Sequence, residues 1–146
     1  MSDTVADRLA ITELLYRYAE LIDAGDFDGV GTLLGRGSFM GVTGAPAIAG
    51  LFASTTKRFP DSGTPRTRHL VLNPIITLAG DTASARSTFC VVQQTPAVPL
   101  QPIVVGRYAD TFAREDGEWF FTERAVVIEM LGDVSDHLMM DPSAFS

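Results

Sequence analysis

Along residues 4–23, Ile11, Leu14, Leu15, Tyr18, Leu21 and Ile22 recur at spacings of three and four, which places them in one apolar stripe on a helix. Gly25 ends that helix, and Asp26 is placed to cap a short second one over 27–34. Gly35-Arg36-Gly37 breaks the pattern before a short strand at 38–42. A third helix is predicted over about 46–59, with Pro46 tolerated in its first turn and Pro60 stopping it. From Arg66 onward the pattern changes to strands, at about 66–78, 82–95, 102–114 and 118–130. Ala79-Gly80-Asp81 and Glu115-Asp116-Gly117 read as hairpin turns, whereas Pro96, Pro99 and Pro102 mark a longer link. Helices followed by an antiparallel meander define an α+β fold, with the helices packed on the concave face of a curved sheet.

The strand pattern carries a second message. Val71 and Ile75 share a side with His69, while Leu70, Leu72 and Ile76 take the other, so the first long strand is apolar on both faces. One face takes the helices and a pocket; a second subunit is the simplest cover for the other, and a homo-oligomer, dimer or trimer, is expected. The segment 131–146 contains Leu131, Leu138, Met139, Met140 and Phe145 and is apolar enough to dock over a pocket mouth as a lid. Gly132, Asp133 and Pro142 argue against a long helix there.

The 146 residues, 46% hydrophobic, suit one domain with its own core and a pocket. That domain spans 1–146, with its core at about 4–130. Eighteen acidic residues against eleven basic ones, the latter scattered, disfavour nucleic acid as a partner. Cys90 is the only cysteine, which excludes an internal disulfide and a thiolate-rich zinc site and makes the cytoplasm the default location. No stretch approaches the ~20 apolar residues of a membrane helix, and no apolar export signal opens the chain, so no membrane partner is expected. With two histidines and no ligand-spaced cluster, neither a metal nor another cofactor is expected.

His69 lies in Thr67-Arg68-His69-Leu70-Val71-Leu72, an ionisable group in apolar surroundings. Its reference pKa of about 6.5 suits proton transfer at neutral pH. The alternative is a core histidine bonded to a backbone carbonyl. Asp23 stands at the end of the first helix, about 140° round from Tyr18 on an ideal helix, so it turns inward only if the helix finishes by Ala24. Otherwise it is solvated. Tyr18 is either packed with a satisfied hydroxyl or presents that hydroxyl to a cavity. Arg124, within Phe120-Phe121-Thr122-Glu123-Arg124-Ala125-Val126, must pair or face a polar cavity; it is a candidate to bind a substrate or leaving group, and a salt bridge to Asp110 is the alternative. Asn73 shares strand parity with His69 and either lines the pocket or caps the backbone beside Pro74. His137, among Asp133, Asp136 and Asp141, reads as a surface histidine, and Cys90 as a small buried hydrophobe.

The order of Tyr16-Arg17-Tyr18-Ala19-Glu20-Leu21-Ile22-Asp23-Ala24-Gly25-Asp26-Phe27-Asp28, then Thr67-Arg68-His69 with Asn73, then Gly106-Arg107-Tyr108-Ala109-Asp110 and Gly117-Glu118-Trp119, resembles the SnoaL-like branch of the nuclear transport factor 2-like superfamily over roughly residues 4–130. That branch includes scytalone dehydratase, lindane dehydrochlorinase and bile-acid dehydratase. The resemblance implies a cone-shaped fold and a cofactor-independent lyase or isomerase. In it Asp23 orients His69 as base, Tyr18 assists through its hydroxyl, and Arg124, Asn73 and Tyr16 contact a small apolar or aromatic, ring-containing substrate. Polyketide, steroid-like and aromatic-catabolite molecules all fit. Ile22 stands where scytalone dehydratase has a tyrosine, and Ser84, Arg86, Ser87 and Thr88 stand where its second histidine would lie, which argues against scytalone itself. The same resemblance admits a non-catalytic binding or assembly module, a polyketide cyclase or an epoxide hydrolase.

Overall fold

The computed structural model of the chain describes residues 4–141; Pro142 and Phe145 lie outside them. Three helices, α1 (Thr4–Asp23), α2 (Phe27–Leu34) and α3 (Ala45–Thr55), precede and flank six strands: β1 (Ser38–Phe39), β2 (Val42–Thr43), β3 (Thr67–Ala79), β4 (Thr82–Gln93), β5 (Gln101–Glu115) and β6 (Glu118–Leu131). They form one sheet in the order β2-β1-β6-β5-β4-β3. The four long strands make the antiparallel meander that the pattern predicts. The predicted strand at 38–42 is instead a β1–β2 hairpin, and β1 runs parallel to β6, so the sheet is mixed at that end.

The hairpin turns follow from local chemistry. Gly80 takes φ 64°, and Asp116 and Gly117 take 52° and 80°, the left-handed pair that a two-residue type I′ connection needs. The concave face gathers Ala83, Ala85, Phe89, Val91, Tyr108, Phe112 and Phe121 against Ile11, Leu15, Tyr18 and Ile22 of α1, Val30 and Leu34 of α2, and Ile48 and Phe52 of α3. Asp7 ties the start of α1 to the β5–β6 hairpin by accepting from Arg114 Nη1 at 2.9 Å and Trp119 Nε1 at 3.0 Å.

Two further features differ from the sequence pattern. In β3 a bulge between Leu72 and Ile75, with Asn73 at φ 54°, inserts a residue and reverses the inside–outside alternation. Ile76 therefore points into the core at 9% exposure, and Ile75 is 50% exposed on the convex face, the opposite of the parity count. Pro74 lacks the N–H that an unbroken ladder would use. The third helix ends at Thr55, short of the predicted Phe59. Thr56 turns extended and bridges Leu138, Lys57 N–H donates to His137 O, and Met139 N–H donates to Thr55 O. The C-terminal segment thus takes the backbone groups that another helical turn would have used.

Candidate active site

α1 finishes where the candidate chemistry begins. Gly25 N–H donates to Ile22 O and Asp26 N–H to Leu21 O, both at 2.9 Å, with Gly25 at φ 74°. This is a Schellman ending. It allows the Asp23 side chain to leave the line of the helix and meet β3, the free edge of the sheet. Asp26 then caps α2, accepting from Gly29 N–H at 2.8 Å.

At that edge the Asp23 carboxylate accepts three hydrogen bonds. Thr67 Oγ1 donates to Oδ1 at 3.0 Å, the His69 backbone N–H to Oδ2 at 2.9 Å, and His69 Nδ1 lies 2.7 Å from Oδ1. An edge strand leaves alternate N–H groups without a ladder partner, and Asp23 uses one of them. A carboxylate offers only acceptors, so Nδ1 carries a proton, and in the neutral ring Nε2 holds the lone pair. The His69 and Asp23 side chains are only 8% and 12% exposed.

His69 separates two spaces. An open groove of about 630 Å³ lies on the outer side, lined by Tyr16, Glu20, Asp23, Thr64, Arg68 and Val71 among others. An inner cavity of about 80 Å³ is lined by Tyr18, Phe39, His69, Phe89, Val91, Val104, Tyr108, Val126, Ile128, His137 and Leu138. The groove is larger, but its charged margin suits water. His69 lines both spaces, and its ring meets that of His137, a residue of the inner wall, at 6.3 Å. Tyr18 packs edge-on to Tyr108, with centroids 5.8 Å apart. Burial pushes both hydroxyls well above the usual phenol range, so they remain hydrogen-bond donors at neutral pH.

The remaining predicted residues are placed as follows. Tyr16 is 44% exposed and borders the groove, not the cavity. Asn73 does not line the cavity; the bulge carries it to a shallow convex hollow with Ile75, Arg86 and Arg107. Arg124 is 0% exposed, with its Nε 3.5 Å from Asp110 Oδ1. Its guanidinium lies 4.0 Å from the Tyr18 ring centroid and 3.6 Å from that of Tyr108, behind the aromatic wall and outside the cavity lining. Neither Arg124 nor Asp110 has a side-chain hydrogen bond among the described residues, so ring faces are the main company of this cation. Burial raises the Asp110 pKa to about 6, although Arg124 pulls it down.

The largest departure is His137. It is 6% exposed, not a surface residue, and its ring meets that of His69 edge-on at 6.3 Å. Thr67 and Tyr108 also join the site; both lie in segments that carry the resemblance, Thr67-Arg68-His69 and Gly106-Arg107-Tyr108-Ala109-Asp110, with no site role of their own read from the sequence. Thr67 shares strand parity with His69, a cue that the sequence does hold. For His137 the only cue is the neighbouring Val134 and Leu138.

The chain belongs to the SnoaL-like domain family, which its sequence matches over residues 3–125. Among solved structures it is similar to Rv3472 of Mycobacterium tuberculosis, a protein of unknown function, at 25% identity and a TM-score of 0.70, covering 86% of this chain and 78% of that one. A nuclear transport factor 2-like protein with a cystatin-like fold from Novosphingobium aromaticivorans matches at 27% identity and a TM-score of 0.66, covering 86% and 83%. A candidate scytalone dehydratase from the same organism matches at 20% identity and a TM-score of 0.70, covering 89% of each chain, a likeness of fold alone. No curated protein matches. Among the described residues no helix is long and apolar enough to cross a membrane.

Proposed function

We propose that this protein is a cofactor-independent lyase or isomerase, dehydratase-like in type, acting on a small apolar, ring-containing molecule. The observation that carries the reading is the 2.7 Å contact between Asp23 Oδ1 and His69 Nδ1, beside an apolar cavity. Asp23, itself held by Thr67 and the His69 backbone, fixes the tautomer; His69 Nε2 takes a proton from a carbon next to a carbonyl or leaving group. The C–H electron pair becomes the new π bond. In a dehydration the imidazolium returns its proton to the departing hydroxyl, which releases water and regenerates neutral His69. The Tyr18 hydroxyl donates to the developing oxyanion. The name of the N. aromaticivorans dehydratase-like structure is consistent with this class.

Cyclic ketones in D₂O test the reading whatever the natural substrate is. The wild-type protein should speed hydrogen–deuterium exchange at the α-carbon of one or more of a panel of such ketones, followed by proton NMR. His69→Ala should lower that rate by about 10²- to 10⁴-fold, the usual worth of a general base. Asp23→Asn should act in the same direction. Exchange no faster than in buffer across the panel, or a rate indifferent to His69→Ala, would sink the proposal in favour of a binding module.

A further inference from the structure

His137 is a polar group that the proposed proton abstraction does not use, placed where it faces the same chemistry. Its segment is stitched to the chain beyond α3. Lys57 N–H donates to His137 O at 2.8 Å, Met139 N–H to Thr55 O at 2.8 Å, and Gln93 Nε2 to Asp136 O at 3.1 Å. Lys57 Nζ also pairs with the Asp136 carboxylate. Those ties hold the backbone on both sides of His137, so the ring's place in the cavity wall is built, not incidental.

One nitrogen of the imidazole is left without a hydrogen-bond partner among the described residues. Its Nδ1 is fully buried and makes no hydrogen bond among the described residues, although a buried polar atom ordinarily has one. Charge reaches it from His69, whose ring it meets, and from Asp23. The rest of the cavity wall is apolar or aromatic, apart from the tyrosine hydroxyls.

We propose that His137 is a second substrate-contacting residue, its Nδ1–H donating a hydrogen bond to an oxygen of the molecule whose carbon faces His69. This rests on the reading that the inner cavity is the reaction site. A substrate oxygen supplies what Nδ1 lacks, and the edge-on approach of the rings at 6.3 Å leaves the two imidazoles addressing different atoms of one small molecule. Burial, with His69 adding to it, lowers the His137 pKa to about 4, so the ring stays neutral at working pH. A neutral imidazole has one N–H and one lone pair, and it polarises an oxygen without giving up its proton. The ligand class is accordingly a ring compound bearing a carbonyl or hydroxyl oxygen, not an anion.

Cyclohexanone and methylenecyclohexane, which share a shape and differ in whether an oxygen is present, are the probes. In protein labelled with ¹⁵N-histidine, cyclohexanone should shift the His137 Nδ1 resonance while Nδ1 keeps its proton; methylenecyclohexane should not. His137→Phe should weaken cyclohexanone binding about three- to tenfold, the usual range for one hydrogen bond, and leave methylenecyclohexane unchanged. His137→Asn, which sets an amide near the lost Nδ1, should recover part of the difference. Parallel weakening of both probes would reduce His137 to a packing residue. A shift at His69 alone would overturn the contact while leaving proton abstraction at His69 intact. If neither imidazole responds to millimolar cyclohexanone, the cavity assignment falls together with the contact. Because the labelled experiment uses the unaltered chain, poor folding of a variant does not spare the proposal.

Discussion

At the scale of single residues, two buried acids and bases pull the stability of this protein in opposite directions with pH. His137, facing His69 and Asp23, has a pKa of about 4 against 6.5 for a free imidazole. The unfolded chain therefore binds more protons between those values, and stability is lost as pH falls from 6.5 toward 4. Asp110 has a pKa of about 6 against 3.8, so its contribution is fully present below 3.8 and is lost as pH rises through 6. The two slopes oppose each other across nearly the same window. Replacing His137 by Phe removes one of them. Between pH 7 and pH 4 the stability of His137→Phe should gain on wild type by about 2–3 kcal/mol, given about 1.4 kcal/mol per pKa unit. Thermal melts of both proteins over that range check it, and a constant difference would mean that His137 titrates like a solvated histidine.

The dyad and His137 differ sharply in how far sequence can disclose them. Asp23 and His69 occupy an element end and a strand interior, positions that helical periodicity and strand alternation define. The pairing between them comes from resemblance, since no local rule joins α1 to β3. His137 lies among Asp133, Asp136 and Asp141, and local polarity reads as surface. Its burial arises from long-range backbone pairing with residues 55–57, which leaves no trace in its own neighbourhood.

At the scale of elements, punctuation is legible and register is not. The α1 stop, the α2 cap and the β3–β4 and β5–β6 hairpins each rest on a residue whose backbone preference decides the matter: Gly25, Asp26, Gly80, and Asp116 with Gly117. Parity in β3 fails past Leu72, because alternation assumes an unbroken ladder and Asn73-Pro74 breaks it. The third helix is shorter than its pattern because Pro60 is a visible stop and a pairing partner far along the chain is not. Gly25 is the residue on which the dyad depends. A Cβ there would sit 2.2 Å from Gly63 O, on a backbone at φ 74°. Gly25→Ala should cost more than the roughly 1–2 kcal/mol of a left-handed residue alone, read as a lower urea midpoint. α-Carbon exchange should fall further than in a control destabilised equally at a distance. An unchanged midpoint would show that the chain reversal tolerates a side chain.

At the scale of the whole molecule, the convex face remains apolar without a cover in one chain. Register places Leu72, Thr88, Arg107 and Val127 in one row and Leu70, Cys90, Val105 and Met130 in the next. Leu70, Leu72, Ile75, Val127 and Met130 are all more than a third exposed. Contiguous apolar area of this kind marks an association surface. A self-associated form, dimer or trimer, is expected at micromolar concentration in sedimentation, and Leu70→Glu, which has no cation in its row, should shift it toward single chains. A wild-type protein that sediments as one chain would contradict this.

The stitching of residues 134–140 onto the end of α3 has a further consequence for timing. Pockets that hold small molecules usually measure about 300–1,000 Å³, so a space of about 80 Å³ bordered partly by His137 and Leu138 would have to widen to take a ring compound, and that segment is the part of its wall outside the helices and the long strands. If it shifts to do so, the His137 imidazole moves with it. Arrival of a guest and placement of its second polar contact would then be one event, and water entering the widened space would meet only part of the site.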